Sequence, residues 1–568
     1  MSRYRSAQPR HDERPDAVAA TEHPSTLRDV RAAHASSSAA AQSTTRFSIR
    51  RNTLALGAVC LASLMFGLEI SSVPVILPTL ERLLHGDFKG MQWIMNAYTL
   101  AVTTVLMATG TLADRFGRRR IFVIGIALFG ITSLICGLAH SVPTLIVGRL
   151  LQGASGGAML ICQVAVLSHQ FNEGPERARA FSAWGIILGI GLGFGPIIGG
   201  MIVAVSGWQW VFWVHALLAI ATLALVFGGV QESRDPHAHT LDVAGIVTLS
   251  LAVFGLVYFI TQGSDLGFTS HRAIVIVVGT VIAFVAFLCA EQFSARPMFD
   301  FSVFRIPQFS GALMGSAGMN FSFWPFMIYI PIYFQIGLGY NSMSAGLALL
   351  AYTLPTLLFP PLGERLVLRY GSGIAIPGGL FIIGLGFMLM KYGSSVAHPD
   401  ALTMLPGCIL AGAGLGLTNT PVTNTTTGAV PAERAGMASG IDMSARMITL
   451  AINIALMGAI LIAGILFHLK ARLPATIDTG LLARLAENIE AGDVEAVKRG
   501  IPALATLDPS GNAVHAALME GFGWVMLYGG VGVWVLAALS FLISGSASRN
   551  PRQVRAATRA PTLPADPC

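Results

Sequence analysis

Between residues 53 and 544 the chain is a succession of apolar runs, each about the length of a membrane-crossing helix and seldom broken by a charge. A hydrocarbon core about 30 Å thick takes about 20 apolar residues per helix. On that rule, spans are predicted near 53–77, 91–113, 121–139, 142–167, 179–203, 211–230, 241–262 and 272–290. Six more follow near 308–335, 343–367, 373–392, 402–427, 435–467 and 521–544, making fourteen. Of 568 residues, 54% are apolar and only 11% charged, too little polar surface to cover a soluble globule of this size. Disordered, collagen-like and disulfide-scaffold classes are excluded on the same grounds. The expected fold class is an all-α polytopic membrane protein.

The net charge of +7 sits mostly at the ends. The first 51 residues hold nine Arg against five acids, and Arg549, Arg552, Arg555 and Arg559 face Asp566 alone in the last 25. Such excesses beside apolar segments bias orientation in a membrane, and no recognition motif points to nucleic acid. The inside loops would carry twelve arginines, among them Arg115, Arg118, Arg119, Arg120, Arg177 and Arg434, against Arg82, Lys89, Arg272 and Lys391 outside. Both termini are therefore expected in the cytoplasm. Cys60, Cys136, Cys162, Cys289 and Cys408 lie inside apolar runs and Cys568 ends the chain, without metal or redox spacing. Residues 1–52 read as a disordered cytoplasmic tail, since the first apolar run is too long for a signal peptide.

A short repeat organises the rest. Leu112-Ala-Asp-Arg-Phe-Gly117 follows the second predicted span and Leu366-Val-Leu-Arg-Tyr-Gly371 the tenth, 254 residues later. Parallel repeats are a transporter signature. They divide the chain into six-helix bundles at 53–232 and 305–545, an inserted two-helix linker at 233–304 and a cytoplasmic tail at 546–568. The outside loop 468–520 carries Leu481, Leu485 and Ile489 at helical spacing, with Gly492 and Pro509 as punctuation. An amphipathic helix capping the outer face is one reading of it; docking of a periplasmic adaptor protein is the other.

Charges inside spans cost several kcal/mol unless paired or hydrated. Glu69 lies about 23 Å along the first span, and Arg149 about 10 Å below the outer edge of the fourth, so their depths agree. The two are expected to interact in one cavity, as a proton-exchanging site or as a static packing pair. Pro74 can let the first helix bend. Asp442 and Arg446, four apart, can form a helical ion pair; Asp442 is a second protonation candidate if it faces the cavity. In Gly110-Thr-Leu-Ala-Asp-Arg-Phe-Gly-Arg-Arg-Arg120, Gly110 permits close helix contact, Gly117 a tight turn, and Arg115 and Arg118 anchor the loop. Asp114 can bond loop backbone or face the positive end of another helix. In the fifth span Gly189, Gly191, Gly193, Gly195-Pro196 and Gly199-Gly200 allow backbone-to-backbone packing, with one turn interrupted.

In these motifs the chain resembles the major facilitator superfamily, in particular the fourteen-helix drug:proton antiporters of the EmrB/QacA type. Gly110–Arg120 is similar to that family's loop motif, and Leu145-Ile-Val-Gly-Arg-Leu-Leu-Gln-Gly153 to its fourth-helix motif, with Arg149 and Gln152 in place. Gly191-Leu-Gly-Phe-Gly-Pro-Ile-Ile-Gly-Gly200 is similar to its antiporter motif, and Leu68-Glu-Ile-Ser-Ser-Val-Pro-Val-Ile-Leu-Pro78 to its first-helix motif, where Asp is usual at Glu69. The resemblance implies a first-helix carboxylate coupling proton entry to substrate exit, an associated arginine, a conformational element and an inside latch. It departs at Gln209, where arginine is usual, at Thr449 and Asn453, where glycines are frequent, and at Leu368, where the repeat has an acid.

Tyr98, Gln152, Asn320, Phe321, Trp324, Tyr329, Asn419 and Asn424 offer aromatic faces and amides to a substrate, or simply pack. No P-loop or metal motif appears, so no cofactor is expected and energy comes from a gradient, protons by resemblance. The expected function is proton-driven export of amphipathic, aromatic or cationic compounds by a monomer in a bacterial inner membrane. A dedicated exporter of one metabolite, antibiotic or siderophore is the alternative. The remote alternative is a non-transporting membrane sensor, which would bind ligand without moving it, or a membrane enzyme, which would need a catalytic cluster that the sequence lacks.

Overall fold

The computed structural model describes residues 24–85, 88–171, 173–235, 242–267, 270–293, 300–340, 342–396, 398–472, 479–490 and 512–545. The chain divides into a unit at Met1–Asn52 and a unit at Thr53–Cys568. The described residues form helices α1 (Pro24–Leu83), α2 (Phe88–Phe116), α3 (Arg118–Gly137), α4 (Val142–Gln170), α5 (Gly174–Ser206) and α6 (Gln209–Gly229). Next come α7 (Val243–Leu266), α8 (His271–Phe293), α9 (Pro307–Phe321), α10 (Phe323–Ile332), α11 (Ser342–Thr353), α12 (Pro355–Leu358) and α13 (Pro360–Tyr370). The series closes with α14 (Ser372–Ser394), α15 (Ala401–Gly428), α16 (Ala435–Arg472), α17 (Thr479–Glu490) and α18 (Asn512–Ser544). Helix α1 begins at Pro24, inside the stretch expected to be disordered. Its Ala- and Arg-rich composition has good helix propensity.

Among the described residues eleven helices are long and apolar enough to cross a membrane, or twelve with the pair Ser344–Leu358 and Pro360–Tyr370 taken as one span bent by 42°. The sequence led us to expect fourteen. The two that differ have separate causes. Helix α2 carries Gln92, Asn96, Thr99, Thr103 and Thr104, which dilute its apolarity; it packs against α4, α7 and α16, so protein rather than lipid meets much of its surface. The predicted span 308–335 is broken at Ser322 between α9 and α10. Pro325 has no N–H to give, and its ring crowds the carbonyl of Phe321. The 42° bend likewise falls at Pro360-Pro361.

Helix α4 is the most enclosed span, 78% buried, whereas α8 is 11% buried and turns Ile274, Val278, Ile282 and Val285 outward. That contrast marks α4 as the place for a charge and α8 as a lipid-facing helix. Helix α4 packs on α2 and α3, and α3 on α6. Helix α14 packs on α15 and α18, and α9 on α15, α16 and α18. Between these groups, α16 lies against α2 and α4, and α5 against α12, α13 and α15.

In the predicted outside loop, α16 runs on to Arg472 and α17 packs on it, burying Leu482, Leu485 and Ala486 with Ile465 and Leu469. Gly492, Pro509 and most of the segment offered for an adaptor lie outside the described residues, as does the tail 546–568.

Candidate functional site

The enclosed site is built on α4. Ser141 caps its N-terminus, with Pro143 in the first turn. Gly153 brings α4 so near α2 that a Cβ there would lie 2.3 Å from the Tyr98 carbonyl oxygen. This approach sets Arg149 between α1, α2 and α3. Glu69 and Arg149 are both 0% exposed, and Arg149 Nη1 donates to Glu69 Oε1. The same Nη1 donates to Gln152 Oε1 at 2.8 Å, and Nε to the Ile94 carbonyl at 3.2 Å. Gln152 Nε2 then donates to Ser133 Oγ at 2.8 Å, and the guanidinium lies 4.3 Å over the Tyr98 ring. Isolated charges at such depth would be costly; this pair is hydrogen-bonded from three helices. Even so, Glu69 Oε2 and Arg149 Nη2 have no hydrogen-bond partner among the described residues.

The antiporter-motif glycines hold α5 against α1. Ser71 Oγ donates to the Gly191 carbonyl at 2.9 Å. A Cβ on Gly195 would fall 1.8 Å from Ser71 Oγ, and one on Gly199 2.8 Å from Ser72 Cβ. Gly193 and Gly200 face open space, and Pro196 lies inside the continuous helix. The motif is thus one close-packing face, i, i+4, i+8, rather than a uniform string.

At the other end of α2, Asp114 accepts from the backbone N–H groups of Gly436 at 3.1 Å and Met437 at 2.9 Å, in the first turn of α16. Of its two predicted partners, the carboxylate takes the helix N-terminus. Arg118 pairs with it at 2.7 Å and also donates to the Glu433 carbonyl at 2.8 Å. Gly110 sits where a Cβ would be 2.6 Å from the Gly436 carbonyl oxygen, and Gly117 turns the chain with φ +110°. Arg115 stands apart, over the Phe116 ring.

Asp442 is 0% exposed and accepts from Ser316, from Thr423 Oγ1 at 3.1 Å and from Arg446 Nε at 3.3 Å. Arg446 also donates to Asn419 and to Thr423 Oγ1 at 2.8 Å. The substrate candidates scatter. Tyr98 and Gln152 join Arg149. Trp324 and Asn419 line a cavity of about 20 Å³ between α5, α10, α12, α13 and α15, room for about one water. Asn320 donates to the Ser316 carbonyl at 2.9 Å, Tyr329 to that of Ile454 at 2.7 Å, and Phe321 lies 4.7 Å from the Tyr528 ring. Asn424 is tied elsewhere: it accepts from Arg177 Nε at 2.5 Å and donates to Glu364 Oε2 at 2.6 Å.

Sequence reasoning passed over that last group. Arg177 on α5 also donates to Thr427 Oγ1 at 2.8 Å on α15, which makes a second tie beside the Asp114 junction. Leu368, which breaks the repeat, is exposed, while Glu364, four residues earlier, is buried. Glu364 fell inside a predicted span, and that alone should have marked it. His215 on α6 was missed in the same way.

Helices long and apolar enough to cross a membrane, with charges buried between them, define a polytopic membrane protein. The Major Facilitator Superfamily model matches residues 59–454, and the chain belongs to that family. It is 32% identical over 440 residues to the multidrug resistance protein Stp of Mycobacterium tuberculosis, covering 77% of this chain and 81% of that one. Over 501 residues it is 29% identical to the tetracenomycin C resistance and export protein of Streptomyces glaucescens, covering 85% and 90%. The human organic anion transporter MFSD10 (TETRAN) shares the fold at a TM-score of 0.57 and 13% identity, covering 87% of this chain and 99% of that one.

Proposed function

We propose that the chain is a proton-driven exporter of amphipathic, aromatic or cationic compounds, acting by alternating access in a bacterial inner membrane with both termini cytoplasmic. The observation that carries this reading is the Glu69–Arg149 pair, fully buried and bridging two helices. While both groups are charged, each offsets the other's desolvation. Protonating Glu69 leaves Arg149 an uncompensated buried charge, a penalty of about 3–5 kcal/mol unless the helices move or water enters. A proton at Glu69 therefore favours a different arrangement of α1 and α4, and a gradient can drive that difference in stability. The Asp114 and Arg177 ties hold helix ends of the two halves together on what we take as the cytoplasmic side. The relatives named for drug resistance and export support outward movement of the cargo.

The test is ethidium uptake into inside-out vesicles, run beside a neutral amphipathic dye, with and without a pH gradient. Accumulation that needs the gradient, collapses with an uncoupler and disappears in Glu69→Gln is expected. Undiminished exchange in that variant would remove Glu69 from the mechanism. One narrower reading is favoured by the relative named for tetracenomycin C export: a single antibiotic or metabolite as cargo. Folded protein that moves neither dye would select it.

A further inference from the structure

The buried pair has a third member. His215 is 1% exposed, and its Nδ1 lies 3.4 Å from Glu69 Oε2. That oxygen is the one left without a hydrogen bond. Nδ1 also lies 2.9 Å from the Val211 carbonyl oxygen, and Nε2 3.2 Å from that of Met65. Both ring nitrogens therefore face acceptors, and Phe129 closes the edge at 5.8 Å between ring centroids.

A neutral imidazole has one N–H and one lone pair. Either neutral tautomer would set that lone pair against a carbonyl oxygen in a site without solvent. The imidazolium alone donates from both nitrogens, and it sets a positive charge 3.4 Å from the open oxygen of Glu69. We propose that His215 is a second proton-carrying group of the coupling site, held as imidazolium by Glu69 and two backbone carbonyls in this conformation and deprotonated in the other.

The charge count gives this a mechanism. With Arg149 and Glu69 ionised, protonated His215 leaves the cluster at +1; loss of its proton leaves a balanced pair. His215 then carries a proton in addition to the one proposed at Glu69. Other groups around the cluster do not supply this. Helix α2 offers Tyr98, beneath Arg149. Helix α3 offers Cys136, whose Sγ is 3.6 Å from Gln152 Oε1, and arginines only at its start. The charges of α5, Glu176, Arg177 and Arg179, fall in its first two turns.

The inference rests on the proton-coupled reading above, and its test uses no cargo. Nitrogen NMR of the full chain, histidine-labelled in lipid nanodiscs near neutral pH, distinguishes imidazolium from either neutral tautomer. Thirteen histidines contribute, and His215→Gln, or His215→Asn should the first variant not fold, assigns the signal by its loss. An imidazolium signature in the wild type that turns neutral in Glu69→Gln is expected. A neutral tautomer in the wild type, or an imidazolium signal unmoved by Glu69→Gln, overturns the proposal. The vesicle assay separates the two readings: without gradient-driven flux in the wild type, proton coupling fails whatever His215 shows. Where that flux is present, His215→Gln is expected to lose the acceleration of ethidium exchange by the gradient; full acceleration in the variant overturns the role of His215.

Discussion

Glu69–Arg149 and Asp442–Arg446 are both carboxylate–guanidinium pairs whose carboxylates are 0% exposed, yet the two are built differently. The first joins helices 80 residues apart and leaves Glu69 Oε2 and Arg149 Nη2 unbonded. The second lies within α16, four residues apart, and Ser316, Thr423 and Asn419 supply its remaining bonds. Among the described residues no buried atom of Asp442 or Arg446 lacks a partner. A charge whose every bond is made locally has nothing to gain from a change of conformation. One with open atoms, bridging two helices, has something to gain. We therefore propose the C-terminal pair as a fastener and the N-terminal pair as a working part.

The largest effects come from neutralising the two acids in turn. Glu69→Gln should reduce gradient-driven ethidium accumulation to that of vesicles without the protein, while changing the thermal midpoint little, because the proposed cycle itself visits a neutral side chain there. Asp442→Asn should do the reverse. It strands Arg446 in a buried network at a cost of about 3 kcal/mol, read as a lowered thermal midpoint in detergent, while the folded fraction keeps its pH-driven flux. Loss of coupling in both variants would break the distinction.

Smaller effects belong to the junction of α2 with α16. At Gly110→Ala the new Cβ would lie 2.6 Å from the Gly436 carbonyl oxygen, backbone against backbone, so the helices must part. The expected cost to the joined state is about 2 kcal/mol. Asp114→Asn keeps the shape but loses the charge at the α16 N-terminus and leaves the buried Arg118 guanidinium with the Glu433 carbonyl in place of its carboxylate. Distances between spin labels on α2 and α16 should broaden in both variants, with Gly193→Ala, which faces open space, unchanged.

The fold class and the first ion pair were legible in the sequence because each rests on a local signal, a 20-residue apolar run or a charge inside one. The depths of Glu69 and Arg149 followed from the rise of a helix. Partner choice did not, because it depends on which helices face each other. Asp114 could have bonded its own loop but reaches Gly436 and Met437, 322 and 323 residues away. Asn424, offered as a substrate amide, is taken by Arg177 and Glu364 for the same reason. The count of apolar helices among the described residues departs from the fourteen expected where apolarity and lipid contact part company: α2 is polar because protein covers much of it, and α9–α10 is two pieces because Pro325 breaks it.

A half-buried pair beside the same junction gives the smallest effect and the sharpest contrast with the fully buried ones. Asp300 caps the turn before α9, accepting from Ser302 N–H at 2.9 Å, and pairs with Arg434 two residues ahead of Gly436. Partial burial pushes its carboxyl up, but the Ser302 hydrogen bonds and the Arg434 guanidinium outweigh this and hold it below its ordinary value. A carboxylate depressed in the folded state stabilises the fold above its unfolded pKa, about 4, and that contribution is lost as pH falls through the folded value. Because solvent screens the pair, the gain is under about 1 kcal/mol. Asp300→Asn should therefore lower the thermal midpoint slightly at neutral pH, and the difference should shrink as pH falls below about 4. In about 1 M salt the neutral-pH difference should shrink, since screening reaches a half-buried pair; that left by Asp442→Asn should persist, since screening does not reach a fully buried one. A salt-insensitive Asp300 effect would place that pair with the buried fasteners.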